Sequence, residues 1–124
     1  MDAFDAQKIV SGNILSWDGV KGVFIRFIDN KLVRLRFQNR TVTAFISDLS
    51  EVQLNNSLLL YAGFYEELPD EFRHSKVKRF KLERQPDGRY MFYAHKPIFI
   101  QHLHHLQNIF FQLENQELTV KLYD

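Results

Sequence analysis

Apolar and polar residues alternate along the first part of the chain, in four short stretches that turn residues separate. A period of two indicates a β-strand with one buried face. Asp18-Gly19, the pair most typical of a two-residue hairpin, separates the first two stretches. Asp29-Asn30-Lys31 predicts a three-residue loop, in which Asn30 is able to adopt positive φ, and Asn39-Arg40 predicts the third turn. Residues 8–47 are therefore predicted to form a four-stranded antiparallel meander.

The register of this meander sorts its side chains onto two faces, and a slip of one residue would exchange them. We chose the register that pairs Ile14 with Val23 and gathers most apolar residues on one face. It also places Arg26 opposite Arg34, which is destabilising unless an anion or an acid lies between them. The predicted core face holds Val23, Ile25, Phe27, Val33, Leu35, Phe37, Val42, Ala44 and Ile46. The predicted opposite face holds Leu15, Trp17, Phe24, Arg26, Ile28, Leu32, Arg34, Arg36, Thr41, Thr43 and Phe45.

Further strands are predicted in the middle of the chain. Residues 57–65 (SLLLYAGFY) are apolar on both faces, as in a central strand. The acidic stretch 66–75 contains Pro69 and predicts a loop that holds at most one helical turn. A strand over 76–84, with a β-bulge near Lys78-Arg79, returns through a Pro-Asp-Gly turn into a strand over 89–95.

A helix and a tail strand are predicted at the carboxyl end. Pro97 is typical of a first helical residue, and Asn115 is a residue type that closes helices. Between them an apolar stripe recurs at helical spacing, which predicts a helix over 97–115. Residues 117–122 alternate again and predict a short strand. The stripe consists of Phe99, Leu103, Leu106, Phe110 and Leu113.

These elements predict a mainly β (α+β) fold in a single domain over residues 1–124. The architecture expected is an antiparallel β-barrel or roll of about seven strands, with the carboxy-terminal helix packed on it or plugging its open side. No apolar run approaches the roughly 18 residues of a membrane span. The first residues, MDAFDAQKIV, lack the pattern of a signal peptide, and the chain has no cysteine. We expect a cytoplasmic protein.

The net charge of +1 conceals a segregation of charge along the chain. Residues 21–40 carry six basic residues and one acid, whereas residues 47–71 carry six acids and no base. Residues 76–89 are again mainly basic. Local fields therefore say more about partners than the total does.

The basic and aromatic face of the meander is the first candidate site. Guanidinium groups bind phosphate oxygens bidentately, and aromatic rings stack on bases. The favoured hypothesis is a non-enzymatic module that binds an anionic ligand, above all single-stranded nucleic acid or another phosphate-bearing ligand. The alternative interpretation is a half-covered sheet with arginines along its edge. The predicted ligand-binding residues are Trp17, Phe24, Arg26, Arg34, Arg36 and Phe45.

A protein–protein adaptor or inhibitor is the alternative function. It would act through the acidic loop 66–73 or through an exposed sheet edge, and the tail strand could join two copies in a homodimer. The same acids could instead neutralise the basic stretch 76–84 within the chain. The residues predicted for this role are Glu66, Glu67, Asp70 and Glu71.

Enzymes and metal proteins are the least favoured classes. His102 and His105 lie one turn apart on the predicted helix, but no carboxylate lies within that turn. No nucleophile elbow, phosphate-binding loop or dinucleotide fingerprint is present. We therefore predict no catalytic residue, no metal and no cofactor.

Parts of the chain resemble known families. KGVFIRF at 21–27 and VTAFISDLS at 42–50 are similar to the aromatic strands of cold-shock domains, which bind nucleic acid, although strand 32–37 separates them here. The Arg36-x-x-x-Arg40 pattern, followed by Asp48-x-Ser50, is similar in part to the PilZ barrel, which binds cyclic dinucleotides. That family's motif ends in glycine where this chain has Gln53. The order of strands and helix resembles the pleckstrin-homology arrangement, and a resemblance of fold assigns no function.

Overall fold

The computed structural model describes residues 9–93 and 96–122. Over these residues the chain is mainly β, and it divides into two compact units, 9–52 and 53–122. Each unit contains one five-stranded antiparallel sheet. The predicted mainly antiparallel β fold with a carboxy-terminal helix is confirmed. The predicted barrel is not, because both sheets are open and have edge strands. The single domain stays a prediction.

The first unit contains the predicted meander. Its sheet has the order β4-β3-β2-β1-β5, and a 3-10 turn at Ile46–Asp48 precedes β5. Asp18 and Gly19 both have positive φ (52° and 80°), as a type I′ turn requires, and Ile14 pairs with Val23 as predicted. The meander begins later than predicted, because residues 9–13 form no strand. The strands are β1 (Ile14–Trp17), β2 (Val20–Phe27), β3 (Leu32–Arg36), β4 (Thr41–Phe45) and β5 (Leu49–Ser50).

The loop between β2 and β3 has the predicted length, but the Asp29 side chain stabilises it rather than a positive φ at Asn30. The Asp29 carboxylate accepts the N–H groups of Lys31 (2.8 Å) and Leu32 (2.9 Å), which fixes the loop. Asn30 does not use its capacity for positive φ, since the Asp29 side chain already closes the turn. The next hairpin turns one residue earlier than predicted, because Phe37 donates its N–H to the Arg40 carbonyl (2.7 Å).

A β-bulge in β2 changes the predicted faces. Arg26 lies opposite Arg34, as predicted, but Ile25 is an extra residue, so Phe24 lies opposite Leu35 and Val23 opposite Arg36. Leu15, Trp17 and Phe24 were predicted on the arginine face, and this was wrong. The buried core consists of Ile9, Leu15, Phe24, Val33, Leu35, Ala44 and Leu49. Partly buried residues packed against it are Trp17, Phe37, Val42 and Ile46.

The second unit begins with a helix where the sequence predicted a strand over 57–65. The Asn55 side chain caps helix α1 (Asn56–Tyr61) by accepting the Leu58 N–H (2.9 Å). Leu58, Leu59 and Ala62 are buried at helical spacing, and Gly63 follows with φ of 91°. Leucine favours helices strongly, and the cap starts this one. The strands that follow this helix form a separate sheet.

That sheet runs in the order β10-β9-β8-β7-β6. Residues 66–73, predicted as a loop, belong to the β6–β7 hairpin, whose Pro69-Asp70 turn has Asp70 at φ of 63°. The predicted strand 76–84 is shorter, and a loop rather than a bulge accounts for the buried Val77. The Gln85–Arg89 turn and the return strand are confirmed, while residues 94–95 of the predicted strand lie outside the described residues. The strands are β6 (Phe64–Leu68), β7 (Glu71–His74), β8 (Lys81–Arg84), β9 (Tyr90–Tyr93) and β10 (Pro97–Ile100).

The carboxy-terminal helix, α2 (Leu103–Glu114), begins six residues later than predicted. Pro97 starts β10, an edge strand, where a missing N–H costs no hydrogen bond within the sheet. Asn115 closes α2 in the left-handed conformation, as predicted. The Phe110 ring of α2 packs against Phe80 (4.9 Å between centroids). The predicted tail strand over 117–122 was wrong, because this segment is irregular over the residues described.

The Asn55 cap gives a test of the unpredicted helix. Asn55→Ala leaves the Leu58 N–H without its acceptor, so we expect the free energy of unfolding to fall by about 1 kcal/mol. Urea titration followed by far-ultraviolet circular dichroism measures the change. Asn55→Asp keeps the acceptor and should retain stability. Equal losses in the two variants would contradict the cap.

Candidate anion-binding face

The face of the first sheet that points away from its core carries the arginines. We call it the basic face, and we define it by Arg26, Ile28, Leu32, Arg34, Arg36, Thr41, Thr43 and Phe45. Successive side chains of a strand point to opposite faces, so these residues share one side while Val33, Leu35, Val42 and Ala44 share the other. The β2 bulge keeps Arg26 on this side while it places Phe24 in the core.

The basic face is organised in rows across the strands. An apolar row contains Ile28, Leu32 and Phe45, because Leu32 pairs with Phe45 and Ile28 donates its N–H to the Leu32 carbonyl (2.8 Å). The next row contains Arg26, Arg34 and Thr43. A third row contains Arg36 and Thr41, with Val23 opposite Arg36. Apolar surface and cationic groups therefore lie side by side.

The arginines of the basic face are not neutralised within the part of the chain that the structure describes. None of Arg26, Arg34 and Arg36 makes an ion pair there. Arg34 Nη1 donates to Thr43 Oγ1 (3.1 Å), and no ion pair within the described ranges engages the rest of this guanidinium. Arg26 and Arg36 are exposed. Two like charges opposite each other raise the energy of the sheet, and an anion between them would lower it.

The structure brings four of the six predicted ligand-binding residues together. Arg26, Arg34, Arg36 and Phe45 share the basic face, and Phe45 is 55% exposed. Phe24 is only 3% exposed and packs in the core. Trp17 packs against the same core, with its ring 5.7 Å from that of Phe37. The aromatic half of the predicted site is therefore reduced to Phe45.

Ile28 and Leu32 are the apolar residues of this face that the predicted site omitted. Both were predicted to lie on the arginine face, so position alone could have added them. Ile28 is exposed and Leu32 is half-buried. Their row extends the apolar surface beside Arg26 and Arg34.

The four predicted acids of the second unit lie together on the β6–β7 hairpin, and three of them have partners. Glu67 forms an ion pair with Arg73, and Glu71 forms one with Lys81 (2.7 Å). Glu66 accepts the Asp70 N–H (2.9 Å) across the turn. Of these three contacts, the Glu71–Lys81 pair reaches the basic stretch 76–84, whereas the other two stay within the β6–β7 hairpin.

His74 occupies a structural position in the second unit. Its Nδ1 accepts the N–H groups of Lys76 (3.2 Å) and Val77 (3.0 Å), and its ring packs on Phe110 (4.9 Å). Burial lowers the pKa of His74, and the charge of Lys76 lowers it further. A hydrogen bond with the Ala62 backbone and the charge of Glu114 act in the opposite direction on this pKa. The net effect is a lowered pKa, which favours the neutral imidazole.

An open cavity of about 290 Å³ lies beside His74. Tyr61, Lys76, Gln116 and Lys121 are among its lining residues. Within the described ranges, no three potential ligand side chains (His, Cys, Asp or Glu) are grouped so that they could hold a metal ion. The cavity therefore offers mixed polar groups without a cluster of metal ligands.

Comparison with known proteins found no matching family model, no matching curated protein and no matching solved structure. The resemblances to cold-shock, PilZ and pleckstrin-homology domains thus stay predictions. In residues 9–93 and 96–122, no helix is both long enough and apolar enough to pass through a bilayer.

The opposed arginines predict a salt-dependent change in stability. Arg26→Gln removes the repulsion with Arg34, so we expect the first unit to gain about 0.3 kcal/mol at low salt and less at high salt. Fluorescence of Trp17, the chain's single tryptophan, reports urea unfolding of this unit. The control is Arg40→Gln, which changes the net charge by the same amount but lies in a turn. This variant should not be more stable than wild type. A gain that is independent of salt would contradict the electrostatic origin.

His74 predicts a loss of stability in acid. The unfolded group titrates near 6.5 and the folded one lower, so the unfolded state takes up the proton first as the pH falls. Its stabilising contribution is complete above pH 6.5 and is lost as the pH falls through the native pKa. Urea titrations at a series of pH values, followed by circular dichroism, should show this fall in wild type. His74→Gln should be less stable than wild type at pH 8 and should lose less stability on acidification. An equal dependence of stability on pH in the two proteins would contradict the role of His74.

Proposed function

We propose that the protein is a non-enzymatic binding module that engages an anionic ligand through its basic face. The observation that supports this proposal is the cross-strand Arg26–Arg34 pair, of which neither member makes an ion pair among the described residues. A pair of this kind costs stability, and a bound anion would remove that cost. The sheet holds both side chains on adjacent strands, which favours binding of one anion by two guanidinium groups.

The chemistry of the face suits a chain-like anion rather than a free ion. Arg36 lies two residues beyond Arg34 on β3 and extends the positive surface along the strand. Ile28, Leu32 and Phe45 add an apolar row next to the charges. A ligand that carries phosphate or carboxylate groups beside apolar or aromatic groups fits both features.

Single-stranded nucleic acid is the ligand that the sequence predicts. Phosphates would contact the arginines, and one base could stack on Phe45, which is the exposed aromatic residue of this face. The core positions of Trp17 and Phe24 leave fewer stacking rings than that prediction assumed. The basic face therefore supports recognition of charge more strongly than it supports stacking of bases.

The alternative proposal, an adaptor that acts through Glu66, Glu67, Asp70 and Glu71, has less support. Three of these acids already make ion pairs or hydrogen bonds within the second unit. The predicted cytoplasmic location and homodimer stay predictions.

Binding of a labelled single-stranded oligonucleotide tests the proposed function. Three phosphate contacts predict an affinity that falls about 20-fold between 50 and 200 mM salt, because counterions are released from the strand. Arg34→Glu should abolish binding, since it reverses one charge and attracts Arg26 instead. Fluorescence anisotropy at several salt concentrations measures both effects.

The matched control is Arg40→Glu, which changes the net charge equally but lies at the turn, on the side of Phe37. It should bind nearly as well as wild type. Binding that neither falls with salt nor weakens in Arg34→Glu would refute the basic face as an anion site. Equal losses in the two variants would show that only net charge matters.

A further inference from the structure

Strand β4 is an open edge of the first sheet. It pairs with β3 on one side, and no other strand among the described residues pairs with its second side. Phe37 bonds to Arg40, and Ile46 donates to Lys31 (2.8 Å), so both ends of the hairpin fix the alternation of hydrogen bonds. In antiparallel sheets, hydrogen-bonded and non-hydrogen-bonded pairs alternate. Val42 and Ala44 therefore bond to β3, while the N–H and C=O groups of Thr41, Thr43 and Phe45 point to the open side.

This edge lacks the devices that normally prevent strand addition. The sequence of β4, TVTAF, has neither proline nor a charged residue. The other long edges differ, because β10 begins with Pro97 and β6 contains Glu66 and Glu67. The remaining edge, β5, has two residues. Among the described strands, β4 is thus the edge best able to accept another strand.

The residues that offer free backbone groups also lie on the basic face. Thr41, Thr43 and Phe45 point their side chains to the side that carries Arg34 and Arg36. Arg34 extends over β4, since its Nη1 donates to Thr43 Oγ1 (3.1 Å). A side chain opposite Thr43 in an added strand would therefore lie next to this guanidinium. Backbone pairing and charge recognition meet at one position.

We propose that an extended acidic peptide adds to the sheet along β4. A carboxylate side chain opposite Thr43 pairs with Arg34, and an apolar side chain opposite Phe45 covers the Ile28–Leu32–Phe45 row. The inference rests on the proposed function and names its ligand as a peptide. In the antiparallel direction the sequence pattern is apolar-x-acid-x-acid, because the residue opposite Phe45 comes first and the residue opposite Thr41 comes last.

The edge favours a peptide over a nucleic acid for a geometric reason. Amide groups repeat with the spacing of the outward groups on β4, so a peptide satisfies them in register, as in β-strand addition generally. A nucleic acid backbone carries acceptors and no matching N–H groups. The apolar row, with one aromatic residue, also offers more surface to an aliphatic side chain than to a run of stacked bases.

The test uses a labelled peptide with the core sequence LTETE, flanked by glycines, and the full chain. Fluorescence anisotropy should show saturable binding that weakens with salt, and no binding of the control peptide LTKTK. Arg34→Gln should weaken LTETE at least about ten-fold, the worth of one charge-assisted hydrogen bond. Arg40→Gln should not weaken it.

Two further changes separate strand addition from simple charge attraction. N-methylation of the central glutamate removes the N–H that would bond to the Thr43 carbonyl and should weaken binding at least about five-fold. Thr43→Pro removes the outward N–H of β4 and should have the same effect, whereas Thr43→Val retains it and should keep most of the affinity. The methylated peptide leaves the protein unchanged, so it gives the answer even where Thr43→Pro does not fold.

The outcomes distinguish this inference from the proposed function. If the methylated and unmethylated peptides bind equally, strand addition is wrong and the anion site stands. The same holds if the oligonucleotide binds in an Arg34-dependent way and LTETE does not. Self-association that Thr43→Pro abolishes, without peptide binding, overturns the inference in favour of a second copy as the occupant. If neither probe binds, both proposals fail.

Discussion

One extra residue in β2 decides what each face of the first sheet carries. Ile25 has no partner in β3, so the pairing before it and the pairing after it belong to different registers. On one side of the bulge Arg26 faces Arg34, and on the other side Phe24 faces Leu35. Without the bulge, Phe24 and Arg26 would share a face, because residues two apart on a regular strand do so. With it, the aromatic ring is in the core and the charge is on the surface.

The basic face therefore combines two features that oppose each other energetically. The core behind it is closely packed and fixes the strands, while the surface holds like charges in adjacent positions. Burial of apolar side chains such as Phe24 and Leu35 contributes far more than a surface repulsion costs. The sheet can thus hold arginines that make no ion pair within residues 9–93 and 96–122. The second unit shows the contrast, since the acid Glu71 of its hairpin has Lys81 as a partner.

Several turns and the end of α2 could be predicted from the sequence, because turn residues act locally. Asp18-Gly19 supplies two positive φ angles, and Asn115 supplies one at the end of α2, whatever surrounds them. The errors arose where one pattern fits two structures. Residues 57–65 are apolar on both faces of a strand, yet the first part is a capped helix. Pro97 is acceptable both at a helix start and on a sheet edge. Here it begins β10, an edge strand that pairs with β9.

The sequence by itself determined the mainly antiparallel fold, the meander, its Arg26–Arg34 opposition and the helix that ends at Asn115. These depend on the period of apolar residues and on turn chemistry, which a chain carries locally. Only the tertiary structure decided that Phe24 belongs to the core and that β4 is left as an open edge. A bulge has no reliable sequence signal, because it is stabilised by the burial it produces. Which strands pair, and which edge stays open, likewise depends on contacts between residues far apart in the chain.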